Sequence, residues 1–78
     1  MDTKKNIYFV GAGGIGMAAL ERYFNARGYR VGGYDRTPTD LTHALESEGI
    51  SLTYDDSAEA IDEAFRDPAE TLVVYTPA

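Results

Sequence analysis

The sequence predicts an α/β fold in which strands and helices alternate, βαβαβαβ, around a four-stranded parallel sheet. Three observations predict it. Four short runs rich in β-branched and aromatic residues alternate with stretches of helical composition. A glycine cluster, Gly11-Ala-Gly-Gly-Ile-Gly16, directly follows the first run. Gly28 and Gly49 close the first two helical stretches. Strands joined through helices must be parallel, because each crossover returns the chain to the same end of the sheet. Right-handed crossovers then give three layers, half of a doubly wound, Rossmann-like unit with strand order 3-2-1-4. In that order the reversal falls between the first and fourth strands, and a ligand crevice is expected at their C-terminal ends.

The elements follow in order. Asn6-Ile-Tyr-Phe-Val10 is a buried strand that stops at a glycine. Residues 17–27 are rich in Ala, Leu, Met and Glu and make the first helix, with Gly28 as its C-terminal stop. Ile15, Ala19, Leu20, Tyr23 and Phe24 recur at helical spacing and are expected to face the sheet. Arg30-Val-Gly-Gly-Tyr34 is the second strand, ending at Asp35. Thr37 is expected to cap the next helix, with Pro38 at its first position and Asp40 as the capping-box acid. Leu41, Ala44 and Leu45 are its apolar stripe. Residues 50–54 form a third strand. Ser57 then caps a third helix carrying Ile61, Ala64 and Phe65, which ends before Asp67-Pro68. Thr71-Leu-Val-Val-Tyr75 is the fourth strand, and Thr76-Pro77-Ala78 leads out of it.

Composition narrows the function. The 78 residues carry a net charge of −6, against the basic face that a general nucleic-acid binder needs. No cysteine is present, which excludes thiolate metal sites and Cys nucleophiles. No run is long and apolar enough for a membrane span or a signal h-region, so no membrane is expected as a partner. The charge is uneven: residues 1–36 are net +3 and residues 37–78 net −9. The first half can hold an anion while the whole stays acidic. Leu, Ile, Val and Phe number 16, a thin core eked out by ten alanines and six tyrosines. The chain is thus expected to be a minimal single domain, residues 1–78, or a piece of something larger.

The site rests on the glycines. Gly11, Gly13 and Gly16 fit G-x-G-x-x-G in the required context, after a strand and opening a helix. Gly11 permits the tight turn, Gly13 lets the backbone approach a phosphate, and Gly16 lets the helix pack close to the strand. Gly14 adds freedom beside Gly13. Amide groups from Gly13 to Met17 and the helix dipole favour an anion there. Asp35, 19 residues past Gly16, stands where an acid accepts hydrogen bonds from ribose hydroxyls. It can equally cap the turn before Thr37 or pair with Arg36. His43, the single histidine, is expected on the surface, and no metal-ligand spacing accompanies it. No G-x-x-x-x-G-K-[ST] is present, so no ATP site of that kind is expected here. Tyr34, Tyr54 and Tyr75 sit at strand ends on the ligand side, where an aromatic ring can stack on a base or pack the rim. These residues specify a ligand with a diphosphate and a ribose. They leave open a nucleotide sugar, the NAD(P) of a dehydrogenase or regulatory protein, or a purely structural interaction domain.

Asn6-Ile-Tyr-Phe-Val-Gly-Ala-Gly-Gly-Ile-Gly-Met17, Gly33-Tyr-Asp-Arg36 and Leu72-Val-Val-Tyr-Thr-Pro-Ala78 together resemble the N-terminal domain of the Mur ligases. The resemblance covers essentially the whole chain. Ala12 stands where the family often has a larger aliphatic residue, and Ala18 where Ser or Gly is frequent. The resemblance implies a bacterial, cytoplasmic, three-domain ligase of peptidoglycan synthesis, of which this is the N-terminal piece. Its ligand would be UDP-N-acetylmuramate. ATP and Mg would belong to a central domain against which this one packs, with no cofactor in the present residues. There the muramyl carboxylate would become an acyl phosphate, which the amine of L-alanine attacks. Carried onto this sequence, Gly11, Gly13, Gly14, Ile15, Gly16 and Met17 would cradle the diphosphate. Asp35 with Arg36 would face the uridine end, Asp55 and Asp56 would be uracil-side neighbours, and Thr76 and Pro77 would border the crevice. None of these is a catalytic group in that reaction.

Overall fold

The computed structural model describes residues 4–75. Its sheet contains β1 (Asn6–Val10), β2 (Arg30–Tyr34), β3 (Ser51–Thr53) and β4 (Thr71–Tyr75). The strands are all parallel, in the order β3-β2-β1-β4. The α/β, Rossmann-like class and the strand order read from the sequence are therefore those of the protein. β1 is central: Phe9 pairs with Gly33 on one side and Val74 on the other.

Side chains alternate across the sheet, and the alternation makes two different faces. Ile7, Phe9 and Val31 point to the face covered by α1 (Ile15–Ala26) and α2 (Asp40–Ser47). There they join Ala12, Met17, Ala18, Leu45 and Ile50 in one buried cluster. Tyr8 and Gly32 point the other way. The Phe65 ring lies over both, 5.5 Å from the Tyr8 ring and in the space that a Cβ at Gly32 would fill.

Three expectations need correction. The first helix buries Met17, Ala18 and Glu21, while Ile15, Ala19, Leu20 and Tyr23 are exposed, Ile15 at 85%. Apolar residues occur on both sides of this helix, so periodicity alone does not choose a face. The strand and turn that lead into α1 fix its rotation, and the small Ala18 allows close approach to β1. Of the expected face only Phe24 packs on the core, edge to face with Tyr29.

The second helix starts later than expected. Thr39, not Thr37, is its N-cap: the Thr42 N–H donates to Thr39 Oγ1 at 3.1 Å. The Thr39 N–H donates back to Thr42 Oγ1 at 2.8 Å, so a threonine replaces the usual acid of the capping box. Asp40 stands in the first turn, where its charge suits the helix dipole.

The third crossover is not a helix but two short 3-10 turns, Ala58–Ala60 and Glu63–Phe65. Aspartates divert the backbone. Asp55 Oδ1 accepts from the Ser57 N–H, and Asp62 Oδ1 accepts from the Ala64 N–H, with Asp62 itself extended. The Arg66 guanidinium then donates to the Glu59 and Ile61 carbonyls. Polar side chains take over backbone groups that a helix would have paired.

Candidate functional site

The glycine loop sits at the C-terminal end of β1, between the two strands where the order reverses. Gly11 has φ +90°, the left-handed region that other residues rarely enter. That turn aims the Gly11 and Ala12 N–H groups at the Tyr34 carbonyl, 2.8 and 2.9 Å away. The Gly14 N–H closes back on the Gly11 carbonyl at 3.1 Å. The loop is thus stitched to itself and to the end of β2.

Asp35 completes the stitching. Its Oδ2 accepts from the Gly13 N–H at 2.6 Å, and its Oδ1 accepts from the Thr37 N–H at 3.1 Å. A Cβ at Gly13 would lie 2.7 Å from Asp35 Oδ2 and 3.1 Å from the Thr42 methyl. Gly13 is therefore a glycine because Asp35 and α2 close in on it. Gly16 differs from expectation, since a Cβ there would meet nothing within 4 Å. Close packing in this helix falls instead to Ala18, and Ala12, fully buried, lies against Gly33. The two alanines that set this chain apart from the family pattern are both core positions.

The expected row of amides from Gly13 to Met17 is shorter than the sequence implied. Gly13 and Gly14 spend theirs inside the loop. The first bond of the helix ladder is from the Ala18 N–H to the Gly14 carbonyl, and no side chain caps the N-terminus at Gly14. The N–H groups of Ile15, Gly16 and Met17 therefore point out of the helix start with no acceptor in the ladder. With the helix dipole behind them they attract an anion.

Other expected residues fall around this centre. Arg36 is exposed beside Asp35. Asp55 and Asp56 line a cavity of about 200 Å³ with Tyr8, Val10, Tyr34 and Ile61, on the opposite face of the sheet from α1. The Tyr8 hydroxyl is buried without a hydrogen-bond partner, and its burial raises the phenol pKa. The Tyr54 hydroxyl donates to Glu46, while Tyr75 stands 67% exposed at the end of β4. His43 is exposed on α2. Thr76 and Pro77 lie outside the described residues. A wider hollow of about 540 Å³, lined by Lys5, Asn25, Arg30 and Glu70, opens at the other end of the sheet and has no part in the loop. Among the described residues no group of three or more His, Asp or Glu could hold a metal ion, and no helix is long and apolar enough to cross a membrane.

Sequence reasoning missed Glu21. It is 0% exposed, and neither carboxylate oxygen has a hydrogen-bond partner. Burial pushes its carboxyl up to about 8, the Asp35 charge pushes the same way, and Arg22 opposes them. Its spacing of four from Met17 and three from Ala18 was the available signal, but only if that stripe had been taken as the buried one.

Residues 6–78 match the family model described as "Mur ligase family, catalytic domain". The chain is 62% identical over 78 residues to the UDP-N-acetylmuramate–L-alanine ligase of Phocaeicola vulgatus, covering all of this chain and 17% of that protein. It is 64% identical over 80 residues to the ligase of the same name from Parabacteroides distasonis, with the same coverage. With that of Porphyromonas gingivalis it shares 51% over 74 residues, 95% of this chain and 16% of the relative. The chain thus spans about one sixth of the length of the curated relatives it matches. A family match along nearly its whole length and identities above half establish that this chain belongs to the Mur ligase family.

Proposed function

We propose that these residues bind UDP-N-acetylmuramate as the N-terminal, Rossmann-like domain of a bacterial, cytoplasmic ligase that joins L-alanine to that nucleotide sugar in peptidoglycan synthesis. The observation that carries the reading is the pairing of the family match with three outward N–H groups, Ile15, Gly16 and Met17, at the strand-order reversal. A diphosphate is the anion that such a helix start receives. Asp35 is already engaged with Gly13, so its carboxylate borders the ribose and uridine side and keeps the phosphates towards the helix. Arg36 supplies a positive charge at the same rim, and the cavity under Tyr34, Asp55 and Asp56 has the dimensions of a planar base.

ATP and magnesium belong, in this reading, to a central domain of the ligase outside these 78 residues, and this domain packs against it. The present residues hold and orient one substrate; the acyl phosphate forms elsewhere. Amide NMR of the 78-residue chain titrated with UDP-N-acetylmuramate tests the binding role. The Ile15, Gly16 and Met17 signals should move, with smaller shifts at Asp35 and Arg36. Silence at millimolar ligand, together with shifts on adding NADH, would replace this reading with the dinucleotide one.

A further inference from the structure

Glu21 is a carboxyl group sealed in the protein with nothing to bond to, and it lies in the element that carries the loop. Its surroundings explain how little compensates it. β1 and β2 present apolar side chains to this face, Ile7, Phe9 and Val31. α2 contributes the buried Thr42 and Leu45, and keeps Asp40, His43, Glu46 and Glu48 on its exposed side. Glu48 is drawn to Arg22 in a two-pronged ion pair at 2.8 Å, which takes the nearest cation towards solvent. Tyr54, next to Thr42, is a phenol held neutral well above the physiological range by burial. The remaining charge in reach is Asp35, whose carboxylate is the acceptor for Gly13.

We propose that Glu21 is a positioning residue that gates the glycine loop through its own protonation: neutral, it lets Asp35 hold the Gly13 amide, and ionised, it sets a second buried negative charge against Asp35 and against the anion entering at Ile15–Met17. The geometry requires this coupling. One carboxylate fixes the loop, the other lies behind it in the apolar layer, and no cation separates them. On ionisation the proton leaves to solvent, and the pair relaxes by moving Asp35, the more accessible of the two, off Gly13. The half of the proposal that concerns the loop stands on this geometry alone; the half that concerns the anion rests on the proposed UDP-N-acetylmuramate site.

The test is a pH titration of the 78-residue chain from 6 to 9.5 by NMR, reading the Gly13 amide and the Glu21 carboxyl carbon. Both should titrate together with a midpoint near 8. Glu21→Gln, which keeps the shape and stays neutral, should remove that step from the Gly13 signal. Asp35→Asn should lower the Glu21 midpoint, because the like charge is gone. Calorimetry with UDP-N-acetylmuramate should then show affinity falling about tenfold between pH 7 and 9, the size of one unit of charge coupling. The Glu21→Gln chain should lose less than about twofold more than the ligand's own ionisation accounts for, since that ionisation is common to both proteins. A Gly13 step that persists in Glu21→Gln, or a Glu21 carboxyl that ionises below pH 6, would overturn the proposal. A coupled Gly13–Glu21 step with no nucleotide binding at any pH would uphold the gating of the loop and remove the proposed ligand instead.

Discussion

Asp35 Oδ2 lies 2.6 Å from the Gly13 amide nitrogen, a bond that closes 22 residues of chain. It joins the end of β2 to the loop after β1, the two strands that bound α1. An acid at this spacing from a glycine loop is usually read as a ligand group. Here it is first a structural acceptor, satisfying one loop amide and one turn amide.

Asp35→Ala should therefore destabilise the fold as well as weaken the ligand. Two backbone donors lose a charged acceptor, worth about 1–3 kcal/mol together when one of them is partly buried. Urea unfolding gives the first number, and the Gly13 amide should become protected less well from hydrogen exchange. An unchanged midpoint would mean that water replaces the carboxylate without cost.

Gly13→Ala and Gly16→Ala should separate sharply. At Gly13 a methyl collides with Asp35 and Thr42, so the loop must open and nucleotide binding should fall at least about tenfold. At Gly16 the methyl meets open space inside a helix, where alanine is favoured over glycine by about 0.5–1 kcal/mol. The second variant should raise the thermal midpoint. If both lower it equally, the space around Gly16 is not open.

The buried Glu21 sets the pH dependence of stability. In the unfolded chain its carboxyl ionises at the ordinary 4.5, while in the fold it keeps its proton up to about 8. Between those values the folded state binds more protons, so stability falls as pH rises. The loss should be on the order of 3 kcal/mol between pH 4.5 and 7, as an upper figure. Glu21→Gln removes this slope, and denaturant unfolding at pH 5 and pH 7.5 reads it. Parallel pH profiles for the two proteins would show that the carboxyl finds a partner in solution.

Thr39→Ala should cost about 1 kcal/mol, the ordinary loss of a helix cap. Thr37→Ala should stay within about 0.5 kcal/mol, because the N–H that binds Asp35 belongs to the backbone and survives the change. Chemical unfolding of the two single variants makes the comparison. A larger effect at Thr37 would return the cap to the position that the Thr-Pro-Thr-Asp pattern suggests.

Much of the fold was legible because its signals are local. The strand Asn6–Val10 ends in glycines that no helix or strand would keep, and Gly28 and Gly49, with φ +88° and +95°, stop helices by backbone geometry alone. The face of α1 was not legible. Ile15, Leu20 and Tyr23 carry the same periodic signal as Met17, Ala18 and Phe24, and only the sheet beneath decides between them. The third crossover failed for a different reason: its alanines favour a helix, but Asp55, Asp62 and Arg66 bind backbone groups locally.

The sequence by itself determined the order of elements, the parallel sheet with its reversal between β1 and β4, and a glycine turn feeding a helix start. Each of these follows from residue types a few positions apart. The tertiary structure alone decided which amides remain for a ligand, because Gly13 is satisfied by an acid 22 residues away. It also decided that Glu21 is buried. Burial is a property of what packs over a residue, and a carboxylate written between Leu20 and Arg22 gives no sign of the apolar layer that closes on it.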